Sequence, residues 1–282
     1  MNYYAFISGL PELSFDEQKK VLSTREFKDE LLEILSWKDR KIVRKLFLKY
    51  DNDNLISYLK NGEEDMIFND QANYTLEEIM NMVENVRNED DKWNNKYPEY
   101  LHFFIHDYFY FEKDPKEFWE DHLSGHYYNF LLKKTYNRFL KQWSELNMNL
   151  RNILTALSAR RLGMEYDYLV VGSNEVATFL RTSQHPAGVA EFIDYYEKMR
   201  EIDEIQDLLD KEQEIDLFLW KWIDDYTFFN YFDVEKIMAY LFKLQIIERW
   251  KKLNPEKGNE IFRNMVHNLK SSVKLLNKNN TK

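Results

Sequence analysis

Along most of this chain the apolar residues fall three and four apart, the spacing that lines one face of a helix. The plainest case is Trp143–Gly163, where Leu146, Leu150, Ile153, Leu154 and Leu157 form an oily stripe. Glu145, Asn149, Asn152, Ala156 and Ala159 fall on a second face of small and polar residues. A helix with two such faces can be packed on both sides, so it belongs inside a bundle. Arg160, Arg161 and Leu162 before Gly163 predict its stop: cations at the negative end of the helix, then a residue free to turn left-handed.

Other segments read in the same way. A helix is expected from about Ser23 through Leu35, and another from near Asp39, with Ile42, Val43, Leu46 and Phe47 on its buried stripe. Asp51-Asn52-Asp53-Asn54 is expected to break that helix, as an acidic turn capping a further helix Leu55–Lys60, with a polar loop over 62–73. Ser14 with Glu17, and Thr75 with Glu78, have the spacing of capping boxes. A dense aromatic helix follows Pro98, and Asp114-Pro115 restarts the chain as a second one, interrupted at Gly125 and running to about Trp143. Ser173 or Asn174 caps EVATFLR, Val189–Asp225 reads as one long acidic helix, and Asp233 caps the helix with Val234, Ile237, Leu241 and Leu244 on one face. Pro255 and Gly258 separate it from a last helix over Asn259–Leu276. The aromatic Asn2–Ser8 is expected to be a strand or a docked extended arm, ended by Gly9-Leu10-Pro11.

The expected fold class is therefore all-α, a multi-helix bundle with a short extended N-terminal segment. Seven glycines and five prolines in 282 residues agree with it, since they leave little material for hairpin turns. The chain reads as one continuous helical unit, with possible sub-bundles 1–95, 96–165 and 166–282 divided at the polar stretches. No internal repeat is visible.

Several function classes fall away. A formal charge of −10 opposes general nucleic-acid binding, because phosphates would approach a negative body. Without cysteine there are no disulfides, thiolate metal sites or cysteine nucleophile. No apolar run approaches the roughly eighteen residues of a membrane span, and no secretory leader is evident, so a cytoplasmic protein is expected. The DNDN run lacks the EF-hand's glycine and glutamate, having Ile56 and Gly62 at those positions. Gly172-Ser173-Asn174 lies outside any phosphate-loop pattern, and His185 has no catalytic arrangement around it. The charge is uneven: thirteen acids against four bases over Glu191–Asp225, and ten bases against three acids over Lys243–Lys282. These are read as solvated helix faces, the alternative being that the segments meet different partners or each other.

The candidate chemistry lies in four histidines. His102 and His106 are four apart, as are His122 and His126, and the pairs mirror each other about residue 114, as do Asp107 and Asp121. In an antiparallel helix pair this symmetry would stack the imidazoles in two layers, a donor set used by zinc or iron. The first reading is nonetheless that they fill an aromatic-rich interface. The Glu-x-x-His motif of carboxylate-bridged bundle sites is missing here, and each aspartate is turned about 100° from its histidine neighbour.

The Leu-Arg-Asn-Ile core, Leu150–Ile153, with the basic residues and glycine behind it, resembles a segment of the C-type subunits of A/V-type rotary ATPases, known as d-type in the eukaryotic enzymes. It is similar also to a poorly characterised bacterial family encoded alongside V-type ATPases. A second likeness lies in Ala239, Tyr240, Leu241, Glu248 and Arg249, which resemble the last helix of those C-type subunits. Together these cover roughly forty residues, in the right order. The resemblance implies three similar bundles in a funnel and a non-catalytic adaptor linking the central stalk to the membrane ring. It implies no catalytic residue, cofactor or metal, and a cytoplasmic protein peripheral to the inner face of the membrane through protein contacts. Arg151 and Asn152 would be structural, and Arg160 and Arg161 would reach a partner. A metal-binding protein or enzyme using His102, His106, His122 and His126 is the alternative, and a helical scaffold for another partner is the third.

Overall fold

The computed structural model describes residues 3–13, 23–88, 94–110, 118–183 and 185–253. Among them every regular element is helical and no strand forms. In chain order the α-helices are α1 (Tyr4–Gly9), α2 (Thr24–Ile34), α3 (Trp37–Asp65), α4 (Leu76–Arg87), α5 (Glu99–Tyr110) and α6 (Trp119–Lys134). They continue as α7 (Arg138–Arg161), α8 (Glu175–Thr182), α9 (Tyr196–Asp203), α10 (Leu208–Tyr226) and α11 (Val234–Leu253), with short 3₁₀ turns at Asp167–Leu169 and Pro186–Glu191. No described helix is long and apolar enough to cross a membrane.

Local chemistry sets most helix starts. Ser23 with Glu26 and Thr75 with Glu78 form complete capping boxes at α2 and α4. Asn137, Asn174, Asp207 and Asp233 each accept a backbone N–H in the first turn of α7, α8, α10 and α11. At the far end of α7, Gly163 has φ 69° and the Met164 N–H reaches back to the Ala159 carbonyl at 2.9 Å, so the stop read from the sequence is present. The Ser14–Glu17 capping box, the Asp114-Pro115 restart and the last helix over Asn259–Leu276 lie outside the described residues.

Contacts divide the chain into two units, one of Met1–Arg40 with Gln206–Lys282 and one of Lys41–Ile205. The sequence boundaries near 95 and 165 both fall inside the second unit.

In the first unit α11 is the central element, with Ile237, Met238, Leu241, Leu244 and Trp250 all buried. The N-terminal segment corrects the expectation of an extended arm: it is the helix α1. Tyr3 anchors it, its N–H donating to the Phe232 carbonyl at 2.7 Å and its hydroxyl to Asp39. Phe6 stacks on Phe27, which packs on Tyr240. The acidic helix α10 and the basic helix α11 meet each other through ion pairs. Arg249 pairs with Glu212 at 2.9 Å and with buried Asp216, which also accepts the Trp250 indole N–H at 2.6 Å. Lys243 pairs with Asp224, its ammonium 4.6 Å above the Trp220 ring. Burial lowers the Lys243 pKa against the pull of Asp224, and raises that of Asp216 against Arg249 and Trp250.

In the second unit α3 runs straight through Asp51–Asn54 instead of breaking there. The polar side chains are occupied elsewhere. Asp51 accepts the N–H groups of Asn73 and Tyr74 at 2.8 and 2.9 Å and the Asn73 side chain at 2.7 Å. Asn54 bonds both backbone groups of Asn69, and Asn52 accepts the Tyr100 hydroxyl at 2.7 Å. The bonds of Asp51 and Asn54 hold the loop before α4, that of Asn52 ties α3 to α5, and together they offset the weak helix preference of the run. The helical conformation is interrupted instead at Gly62, with φ 77°.

Three further expectations are corrected. Gly125 lies inside α6, which continues through it and ends at Lys134, not Trp143. A separate helix, α7, begins after Asn137. Val189–Asp225 is not one helix but the 3₁₀ turn, α9 and α10, because Asp207 uses its side chain to cap the N–H groups of Leu209 and Asp210.

The two faces of α7 are both used: Leu146, Leu150 and Ile153 are buried, and so are Asn149, Asn152, Ala156 and Ala159.

Candidate functional site

The core of the second unit rotates α5 and α6 into their working orientation. Leu101, Phe104 and Ile105 on α5 and Trp119 and Leu123 on α6 are buried in one cluster. At 3.6 residues per turn, Asp107 then lies about 60° from Phe104, whereas His102 and His106 lie about 160° away. On α6, His126 and His122 lie about 60° and 100° from Leu123, both on the side of it that carries Trp119. Phe104 sits 5.7 Å from the Trp119 ring, 6.1 Å from His122 and 6.5 Å from His126, measured between ring centres.

The structure therefore brings together two of the four candidate histidines, with an aspartate from the facing helix. One ligand atom each from Asp107, His122 and His126 lie within 4.8 Å of one another. The two imidazoles are edge to face at 4.8 Å, and His126 Nε2 is 3.6 Å from Asp107 Oδ2. His106 is exposed, and its Nδ1 approaches the other Asp107 oxygen at 3.6 Å. His102 is half-buried and stands outside the group. Asp121 is turned away and pairs with Arg151. The mirror about residue 114 fails because the apolar stripe, not the histidine spacing, decides which faces meet.

Burial lowers the His126 pKa, and the neighbouring His122 adds to this, while Asp107 opposes both. The Nδ1 atom of His122 is shielded from solvent with no hydrogen-bond partner among the described residues. Both histidines line a cavity of about 510 Å³ shared with Trp119, Asn129, Gly172 and Arg181.

The far wall of the cavity is an irregular segment held by side chains. Asn152, fully buried on α7, donates to the Val171 carbonyl at 2.8 Å and accepts the Val171 N–H at 2.9 Å. Arg181 donates to the carbonyls of Val170 and Gly172 at 2.7 and 2.6 Å. Gly172 has φ 81°, and a Cβ there would stand 2.1 Å from Met148 Sδ. Gly125 packs α6 on the same segment, and a Cβ there would meet the Gly172 nitrogen at 3.5 Å, an ordinary contact distance. Arg181, Asn129 and Gly172 were not signalled as cavity residues by spacing or motif.

The residues of the Leu-Arg-Asn-Ile segment are thus occupied internally. Arg151 ties α7 to α6 through Asp121, and Asn152 holds Val171. Arg161 donates to the Asp203 carbonyl at 2.8 Å and faces its carboxylate at 3.4 Å. Arg160 is exposed.

A family model described as a protein of unknown function, DUF2764, matches residues 1–273. The chain belongs to this family. No curated protein and no solved structure matches the chain. The DUF2764 match takes in both units, the cavity and the whole of α11.

Proposed function

We propose that this chain is a non-catalytic adaptor of an A/V-type rotary ATPase, linking the central stalk to the membrane ring and passing torque during ion or proton transport. The observation that carries the reading is the likeness of two helices, α7 and α11, to segments of the C-type (eukaryotic d-type) subunits, in the same order along the chain. The internal use of their polar residues supports it. Arg151 and Asn152 lock α7 to its neighbours, and Glu248 accepts the Thr24 N–H at 2.6 Å while Arg249 grips α10. A spacer that transmits force must resist bending, and such ties, with the aromatic packing, supply that resistance. The chemistry asked of the chain is none: it holds neighbours and moves with them, on the cytoplasmic face, through protein contacts.

The test is affinity capture of the chain from its native cells in mild detergent. Stalk and ring proteins of the ATPase recovered in fixed ratio support the adaptor. Capture that recovers neither, from cells in which the ATPase is intact and abundant, contradicts it.

A further inference from the structure

We propose that Asp107, His122 and His126 bind one divalent transition-metal ion of the zinc or iron(II) class. The donor set is two imidazoles and a carboxylate, which suits these ions and not calcium or magnesium, whose sites are built from oxygen. The two histidines are one turn apart on α6, and the carboxylate comes from α5, so an ion would join the two helices. At metal–ligand distances of about 2.0–2.2 Å a tetrahedral site sets its ligand atoms roughly 3.3–3.5 Å apart. The His126–Asp107 pair stands at 3.6 Å, and all three ligand atoms lie within 4.8 Å, so side-chain rotation of the order of 1 Å completes the approach.

Three further observations bear on the same site. His122 Nδ1 is buried without a hydrogen-bond partner among the described residues, an arrangement that costs free energy unless a partner or ligand is supplied. His106 Nδ1 lies 3.6 Å from the second oxygen of Asp107, and a small rotation of either side chain would bring it into hydrogen-bond range of a ligating carboxylate. Two of the three ligands line the 510 Å³ cavity, which leaves the remaining coordination positions room for water or a small ligand. The site owes nothing to the adaptor reading, and metal binding is measured on the isolated chain.

The experiment uses the full chain purified without a polyhistidine tag, stripped with chelator and titrated with Co²⁺, followed by Zn²⁺ competition. The expected result is one saturable site per chain with a visible d–d band that Zn²⁺ abolishes. His122→Gln, His126→Gln and Asp107→Asn should each weaken Zn²⁺ binding at least about tenfold, while His102→Gln leaves it unchanged. No saturable Co²⁺ spectrum in the wild type, or undiminished Zn²⁺ affinity in folded His126→Gln, would overturn the proposal. X-ray absorption on the Zn²⁺-loaded wild type reads the ligands without any substitution. Two imidazoles with oxygen support the site, and any other number of imidazoles refutes it.

Discussion

Replacing Asn152 tests how the wall of the cavity is held. The Asn152 side chain is fully buried, and its amide makes both hydrogen bonds that the Val171 peptide receives from it, at 2.8 and 2.9 Å. Asn152→Ala removes both and leaves the N–H and carbonyl of a buried residue without those partners. Each orphaned group costs about 1–3 kcal/mol, so a loss of about 3 kcal/mol is expected, with the smaller carbonyl penalty and partial relaxation included. For a unit of this size each kcal/mol moves the midpoint by about 2–4 °C, giving a fall of roughly 6–12 °C in thermal melts followed by circular dichroism. Asn152→Asp separates hydrogen bonding from volume. It fills the same space but cannot donate to the Val171 carbonyl and sets a carboxylate against it, so its loss should be at least comparable. Hydrogen exchange at the Val171 amide should speed up in both variants. A fall below about 2 °C in Asn152→Ala, with Val171 exchange as in the wild type, would refute the reasoning.

Other perturbations give outcomes of different sign. Gly125→Ala places its Cβ at ordinary contact distance inside α6 and should stabilise by about 0.5–1 kcal/mol, whereas Gly172→Ala combines φ 81° with a 2.1 Å approach to Met148 and should destabilise by more than about 2 kcal/mol. Paired urea melts check both. Asp51→Ala strips an acceptor from three donors of Asn73 and Tyr74, so it should cost about 3 kcal/mol or more and speed amide exchange at those two residues first. Burial, with smaller contributions from Glu145 and Asp194, pushes the Tyr195 pKa up to about 12 from 10.0, while its bond from Asn149 opposes the shift. The folded state keeps a proton that the unfolded chain releases, so this contribution is complete below pH 10 and is lost as pH rises from 10 towards 12. Melting midpoints across that range should fall for the wild type and fall less steeply for Tyr195→Phe.

What the sequence revealed depended on how far apart the partners are. Thr75 with Glu78, Asn174, Asp233 and Gly163 act within a turn of their own helix, and all were legible as caps or stops. Asp51 and Asn54 act on backbone 15 to 23 residues away, so a polar run that locally reads as a turn is a buried staple inside α3. The N-terminal aromatics give no short-range sign of helix. Tyr3 depends on Phe232 and Asp39, which only the folded unit supplies. The break between α9 and α10 was hidden because Ile202, Ile205, Leu208 and Leu209 continue the helical period past the Asp207 cap. At the site, the histidine spacing was visible, but the choice of His122 and His126 over His102 and His106 follows from the rotation of α5 about Phe104. That rotation is set by burial of three apolar residues, and it brings in Asp107.

The adaptor reading is tested most directly by coupling. Inverted membrane vesicles from cells lacking the chain, and from the same cells with it restored, are compared for ions pumped per ATP hydrolysed. The account predicts that loss of the chain uncouples the two, with hydrolysis continuing and pumping falling towards zero, and that restoration brings the ratio back. An unchanged ratio in its absence would contradict the claim that this helical spacer carries torque between stalk and ring.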